Sequence, residues 1–417
     1  MARPRKSQTT GTPLHPQLAR LWRTWWRTAK GANARPAPLD RFLSRELKRK
    51  ANREALTHAM RGAAAWCTTA LAVLDPKGPE GVPKDLASLR RALRRADPVR
   101  LVGITEALRT RDPSHARLHA RIAAWAEQPE GRLVAAGVPP AWSEALAAWQ
   151  KTSPEAFDAW LSVQHEPPPL WLRLDDEQAI ASLREEGFRV SPGAGAVSVE
   201  GTTPLPHTEA WQAGWVEVQD LASQAIGRAV RAQPRELIWD MCAGSGGKTM
   251  LLARALEGMG QVLATDIHAP ALDRLRSRSD RLGLDGLVTS RTWDGTEAPA
   301  LPRPVRRQGG FDAVLVDAPC SASGTWRRDP DARLRAQKTE GWSDLQLELL
   351  TLGAEHVRPG GRLVYGTCSV LTEENEAVVA SLQATLKGWV MKHTMRLGPP
   401  RQNSHNMFVA VWEKPQD

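Results

Sequence analysis

Two cysteines stand where a nucleophile would be delivered. Cys320 lies in Val314-Leu-Val-Asp317-Ala318-Pro319-Cys320-Ser321, and Cys368 in Leu363-Val-Tyr365-Gly366-Thr367-Cys368-Ser369. Each short, β-prone apolar run stops abruptly at polar or Pro residues, the pattern of a buried strand ending in a loop. In an open α/β sheet, ligands bind beyond the carboxyl ends of the strands. Two thiols brought to that edge, one just after the carboxylate of Asp317, suit covalent catalysis. Either cysteine alone reads better as a small buried hydrophobe. The pair, together with a glycine loop elsewhere in the chain, reads as chemistry.

That loop is Leu237-Ile-Trp-Asp240-Met-Cys242-Ala243-Gly244-Ser245-Gly246-Gly247-Lys248-Thr249, followed by the apolar run Met250–Leu256. It reads as strand, glycine turn and helix. Glycines allow close backbone approach to a ligand, and a helix N-terminus presents free N–H groups to it. Gly247-Lys248-Thr249 matches the end of a P-loop, but that motif needs glycine where Cys242 stands. The dinucleotide fingerprint needs glycine where Thr249 stands. The next predicted strand, Gln261–Asp266, ends in an acid about 20 positions after the turn, where an acid commonly binds ribose hydroxyls. A nucleoside without a diphosphate fits this set, and S-adenosylmethionine is such a ligand. Backbone groups from Cys242, Ala243, Gly244, Ser245, Gly246, Gly247 and Lys248 are expected to hold its methionine and sulfonium end, and Asp266 its ribose.

Taken together, these segments resemble the RsmB/Sun/NOL1 family of RNA 5-cytosine methyltransferases. Asp240–Thr249 is similar to that family's cofactor loop, Asp317–Asp331 to its base-binding loop, and Tyr365–Glu376 to its nucleophile motif. Upstream, Pro167–Leu174 and Gly214–Gln224 resemble segments that precede its catalytic domain, so the likeness covers roughly residues 137–412. Leu39–Leu43 and Gly62–Trp66 resemble the helical NusB-like domain of the RsmB branch more faintly. The chain departs from the family pattern at Gly244-Ser245, at Asp175 and at Ser404–Phe408.

The resemblance implies a covalent mechanism. Carbon 5 of cytosine is a poor nucleophile until a thiolate adds at carbon 6. By resemblance Cys368 is that thiolate and Cys320 assists its release. Chemistry alone leaves the order open, since DNA 5-cytosine methyltransferases use a Pro-Cys nucleophile. Asp317 is the natural donor to ring N3, in a dry pocket that keeps it protonated, and it also belongs to the cofactor edge. Lys248 is the candidate cation that activates the thiol. By resemblance Asp294 meets the adenine, while Arg173, Arg327 and Arg328 contact RNA.

The elements that must position these groups follow from the alternation of strands and helices after Glu236, which implies a mostly parallel sheet. Strands are expected at 237–241, 261–266, 287–292, 312–317 and 361–367, with two more near 389–395 and 407–412. The expected architecture is α/β: a class I (Rossmann-like) methyltransferase domain over 231–417, preceded by linker helices and a small α/β subdomain over 136–230. A helical, NusB-like RNA-binding domain is expected over 39–135 and a basic arm over 1–38. The 417 residues carry a net charge of +10, and residues 1–60 hold 14 Lys/Arg against three Asp/Glu, so the whole excess lies there. Such an end suits a polyanion. Trp22, Trp25 and Trp26 share a helical face within it, which predicts core rather than base stacking.

None of the four cysteines forms a C-x-x-C pair, so neither zinc nor another metal is expected. No apolar run reaches the roughly 20 residues of a membrane span, and the N-terminal residues lack a signal-peptide core. The expected protein is a cytoplasmic, metal-free monomer whose partner is RNA, with small-subunit ribosomal RNA leading. The same chemistry on transfer RNA, or a non-catalytic assembly factor, are the competing readings.

Overall fold

The computed structural model describes residues 14–29, 35–48, 52–111, 113–193, 195–201, 203–297, 299–335 and 341–416. The chain divides into two units. The first comprises Met1–Glu144, Leu161–Glu166 and Trp326–Ala336; the second comprises Ala145–Trp160, Pro167–Thr325 and Gln337–Asp417.

The first unit is helical. Its helices include Leu14–Arg27, Leu39–Glu46, Arg53–Leu74, Leu86–Arg95, Pro98–Thr110 and Ala116–Ala126. Trp22, Trp25 and Trp26 are buried together, their ring centroids 5.1–5.9 Å apart in edge-on and tilted pairs. Arg20, Arg23 and Arg27 stay exposed. Trp25 Nε1 donates to the Ala37 carbonyl at 2.8 Å, and Phe42 and Leu43 share the same core. The described part of the expected basic arm is therefore an amphipathic helix of the core. The expected boundary at residue 38 has no counterpart in the division into units, because the helix buries its three indoles in that core while its three arginines stay solvated on the opposite face. Residues 1–13 and 30–34 lie outside the described residues.

The late segment Trp326–Ala336 also belongs to this unit. Arg333 has no exposed surface and donates to the carbonyls of Gly137 (3.1 Å), Gln164 (3.3 Å) and Trp326 (3.3 Å). Asp331 accepts the Leu39 N–H at 3.1 Å.

The second unit carries two sheets. The strands of the smaller are β1 (Leu170–Leu174), β2 (Arg189–Gly193), β3 (Ala196–Glu200) and β4 (Val216–Val218), in the order β2-β3-β1-β4, all antiparallel. The larger contains β5 (Leu237–Asp240), β6 (Gln261–Asp266), β7 (Val288–Thr292), β8 (Phe311–Asp317), β9 (Val357–Thr367), β10 (Val390–Leu397) and β11 (Met407–Glu413). Its order is β10-β11-β9-β8-β5-β6-β7. Strands β7 to β9 run parallel through β6, β5 and β8, while β11 pairs antiparallel with β9 and β10. Helices cover both faces of the central strands, and Phe311–Val316, Asp312 included, is buried throughout.

Every strand expected after residue 236 is present. The largest boundary difference is at β9, which starts at Val357, ahead of Pro359-Gly360-Gly361. That triplet reads as a turn in sequence, and the β8–β9 register shifts between Phe311 and Ala313.

Candidate active site

Strands β6 and β8 flank β5 on opposite sides, so the chain reverses its direction of winding there. Such a switch point opens a crevice beyond the strand ends. The loops that follow β5, β6, β8 and β9 carry nearly all the residues singled out by the sequence.

After β5, the chain turns at Gly244 (φ 55°) and Gly246 (φ 84°) before the helix Gly247–Ala255. A Cβ at Gly246 would lie 2.7 Å from Leu275 Cγ, whereas no atom lies within 4 Å of one at Gly244. Gly246 is thus required by conformation and packing, and Gly244 faces open space. Asp266, at the end of β6, accepts the Gly244 N–H at 2.8 Å and the His268 N–H at 2.8 Å. Oδ1 also meets His268 Nδ1 at 3.1 Å, so the lone pair left over is on Oδ2.

Below the loop lies Asp240, a residue the sequence reading passed over. It is buried, and Oδ2 accepts Thr249 Oγ1 at 2.7 Å. Its Oδ1 has no partner among the described residues. Burial pushes the Asp240 carboxyl up to about 7, with the charges of Asp317 and Asp266 adding and the Thr249 hydrogen bond and Lys248 opposing.

Lys248, in the first turn of the helix, reaches Asp317 at the end of β8: Nζ to Oδ2 is 2.7 Å. The ammonium is buried, which disfavours its charge. The opposing charge of Asp317 and its hydrogen bond, with Asp240 and Cys368 adding, more than offset burial and raise the Lys248 pKa. Asp317 was expected as a proton donor. In this pair its Oδ2 accepts a hydrogen bond from Lys248.

The two thiols meet. Cys320 Sγ and Cys368 Sγ lie 3.3 Å apart, both half-buried. The register places Asp317 opposite Gly366, and the Ala318 N–H donates to the Gly366 carbonyl at 2.9 Å. The Gly324 N–H donates to the Cys368 carbonyl at 2.9 Å, where a Cβ would come within 1.8 Å of the Asn406 carbonyl oxygen. The hydrogen bond to Cys368, then burial, then the charges of Cys368 and Glu374, raise the Cys320 pKa well above the usual thiol value. Cys320 therefore holds its proton, and the Lys248 ammonium lies within the electrostatic reach of Cys368. Cys242 differs: burial first, then Asp240, Asp317 and Asp266, push its thiol up, so only its backbone suits a ligand role.

Some expected site residues do other work. Arg173 is buried, bonded through Nε and Nη2 to Asp175 (both 2.7 Å) and through Nη1 to Gln219 (3.1 Å) and the Gly247 carbonyl (3.3 Å). Its guanidinium braces the cofactor-loop helix and is not presented to RNA. Arg327 is buried in the first unit and donates to the Glu166 carbonyl at 2.8 Å. Arg328, beside it, is exposed. Asp294 lies beyond β7, where Trp293 N–H donates to the Asp266 carbonyl at 3.0 Å. Its fully exposed carboxylate accepts the Thr296 N–H (3.1 Å) and Thr296 Oγ1 (2.8 Å), the geometry of an ordinary turn aspartate. Among the described residues no cluster of three or more His, Cys, Asp or Glu could hold a metal ion, and no helix is long and apolar enough to cross a membrane.

Residues 228–412 match the model of the 16S rRNA methyltransferase RsmB/F family. This stretch is an RsmB/F-family methyltransferase domain. Ribosomal RNA small subunit methyltransferase B of Escherichia coli O6:K15:H31 (strain 536 / UPEC) is 36% identical over 276 residues, covering 63% of this chain and 62% of that protein. The namesake from Citrobacter koseri is 34% identical over 257 residues, covering 59% of this chain and 58% of its own length. The chain thus matches about six tenths of the length of these curated relatives. Among solved structures, PH0851 superposes with a TM-score of 0.71 over 97% of this chain and 99% of its own, at 22% identity. NSun6 from Pyrococcus horikoshii with SFG gives 0.54 over 66% of this chain and 97% of its own, at 18% identity. At those identities the two structures support the α/β methyltransferase fold.

Proposed function

We propose that this chain transfers a methyl group from S-adenosylmethionine to carbon 5 of a cytosine in RNA, with small-subunit ribosomal RNA as the substrate. The observation that carries the reading is the pair of thiols 3.3 Å apart beside the Lys248–Asp317 couple, at the sheet edge that also bears the glycine loop. The names of the RsmB/F family and of the curated relatives support the RNA substrate.

The residues present fit the cofactor. Gly244 opens onto free space, Asp266 Oδ2 offers an unused lone pair, and the helix at Gly247 begins with free N–H groups. Gly244, Gly246 and Asp266 would hold it, and when bound it supplies the methyl group.

This chain's own groups do the rest. The Cys368 thiolate adds to carbon 6 of cytosine while Lys248, aligned by Asp317, donates a hydrogen bond toward ring N3, and the electron pair moves to carbon 5. After carbon 5 takes the methyl group, its proton must leave so that the Sγ–carbon 6 bond can break. Cys320, held against Cys368, gives its own proton to solvent and then takes the one from carbon 5; the electron pair left behind re-forms the ring double bond, and the Sγ–carbon 6 pair returns to Cys368. Covalent addition of this kind splits one difficult step into easier ones. The helical first unit, with its exposed arginines, is the second RNA-binding element of the proposal.

The test incubates the full chain with methyl-labelled cofactor and small-subunit ribosomal RNA, with transfer RNA in parallel. Label in 5-methylcytosine of the ribosomal RNA is expected. Label confined to transfer RNA would move the substrate, and no label in either would remove the activity.

A further inference from the structure

The residues that follow the two thiols converge on one buried carboxylate. Glu374, at the end of the short turn Thr372–Glu374, has no exposed surface. Its Oε2 accepts the backbone N–H of Ser321, next after Cys320, at 2.8 Å. Its Oε1 accepts the hydroxyl of Ser369, next after Cys368, at 2.9 Å. The hydroxyls of Ser321 and Ser369 lie 3.1 Å apart, and that of Ser323 closes a triangle at 3.0 and 3.2 Å. Gln346 holds the carboxylate from behind: its Nε2 donates to Glu374 Oε2 at 3.1 Å and to the Pro319 carbonyl at 2.9 Å. A buried carboxylate needs such a set of donors, and two of the three come from the thiol loops, one from each.

We propose that Glu374 is a positioning residue for the reaction: it fastens the Cys320 loop to the Cys368 loop and so fixes the approach of the two sulfurs on which release of the product depends. The inference rests on the methyl-transfer reading above. It assigns a task to a residue that touches neither substrate nor cofactor. Glu374 also acts through its charge, which helps Cys320 keep its proton, behind the Cys368 hydrogen bond and burial. The other titratable groups facing Cys320 are Cys368 and Tyr365, with Asp317 in its own loop and Lys248 paired to that aspartate. A purely structural clamp would lack this electrical effect, so two variants separate the roles. Glu374→Gln removes the charge and keeps an acceptor for the Ser321 N–H, while its amide NH2 can donate to Ser369 Oγ, which turns from donor to acceptor. Glu374→Ala removes both.

Two measurements use the full chain without RNA. Diamide closes a Cys320–Cys368 disulfide: the two thiols are oxidised, the diazene is reduced to a hydrazine, and both thiol protons are transferred to it. Closure should slow on the order of a hundredfold in Glu374→Ala, the scale of a misplacement of about 1 Å, and stay close to the parent rate in Glu374→Gln. Iodoacetamide labelling of Cys320 in a Cys368→Ser background should follow a pH profile displaced to lower pH by Glu374→Gln. With RNA and labelled cofactor, Glu374→Ala should accumulate a protein–RNA adduct at unchanged cofactor affinity. Parent-like disulfide closure in Glu374→Ala, or an unmoved labelling profile in Glu374→Gln, overturns the proposal. If Glu374→Ala does not fold, the Glu374→Gln profile decides alone. If the parent chain methylates no RNA, the activity reading falls while both thiol measurements still judge the clamp.

Discussion

Replacing Asp240 with Asn should change how stability depends on pH, and the magnitude follows from its burial. The carboxyl is 1% exposed, accepts one hydrogen bond, and is pushed from 3.8 up to about 7. An acid whose folded pKa is raised keeps a proton that the unfolded chain has already lost. The folded state therefore binds more protons between pH 3.8 and about 7, and stability falls as pH rises through that window. A displacement of about three units at 1.36 kcal/mol each corresponds to roughly 4 kcal/mol lost by pH 8. Asp240→Asn has no such proton to lose. Its cost relative to the parent should be largest near pH 4 and should shrink, or become a gain, by about 4 kcal/mol near pH 8. Urea unfolding of both proteins at several pH values measures the difference, and any pH-independent cost of the amide cancels in the comparison. Parallel stability curves across the window would refute the assignment of a buried, proton-retaining carboxyl at this position.

Asp266→Ala should weaken S-adenosylmethionine about ten- to a hundredfold by calorimetry, since a charge-assisted hydrogen bond contributes roughly 1.5–3 kcal/mol; unchanged affinity would remove Asp266 from the site. Gly246→Ala should cost about 1–3 kcal/mol of stability from its left-handed backbone and the contact with Leu275, and should lower cofactor affinity with it. A thermal melt equal to that of the parent would show that the turn tolerates a side chain.

The catalytic sheet was legible because its signals are local. Short β-branched apolar runs such as Ala313–Val316, bounded by polar residues, read as buried strands, and the acid ending Gln261–Asp266 stands at a fixed distance from its glycine turn. The pairing of Cys320 with Cys368 was legible in kind, since both follow strands, though not in distance. What escaped depends on contacts remote in sequence. An arginine looks the same whether it faces RNA or a carbonyl: Arg173 reaches Gln219 and Gly247, 46 and 74 positions away, and Arg327 reaches Glu166, 161 positions away. Arg333 gave no sign that it would be buried, because its partners Gly137 and Gln164 lie far upstream. Glu374 stood within a quoted motif, yet its partner Ser321 is 53 residues distant. The tryptophans of the first helix went the other way. Their spacing outweighed the charge around them, and the charge was what suggested an arm.

The central claim is that Cys368 forms the bond to RNA and Cys320 lets it go. RNA carrying 5-fluorocytosine, whose carbon 5 bears fluorine in place of the proton that must leave, should trap the parent chain, and peptide mass spectrometry should place the adduct on Cys368. Cys368→Ala should give none, and Cys320→Ala should accumulate adduct even on unmodified RNA. An adduct mapped to Cys320, persisting in Cys368→Ala and vanishing in Cys320→Ala, would contradict the account.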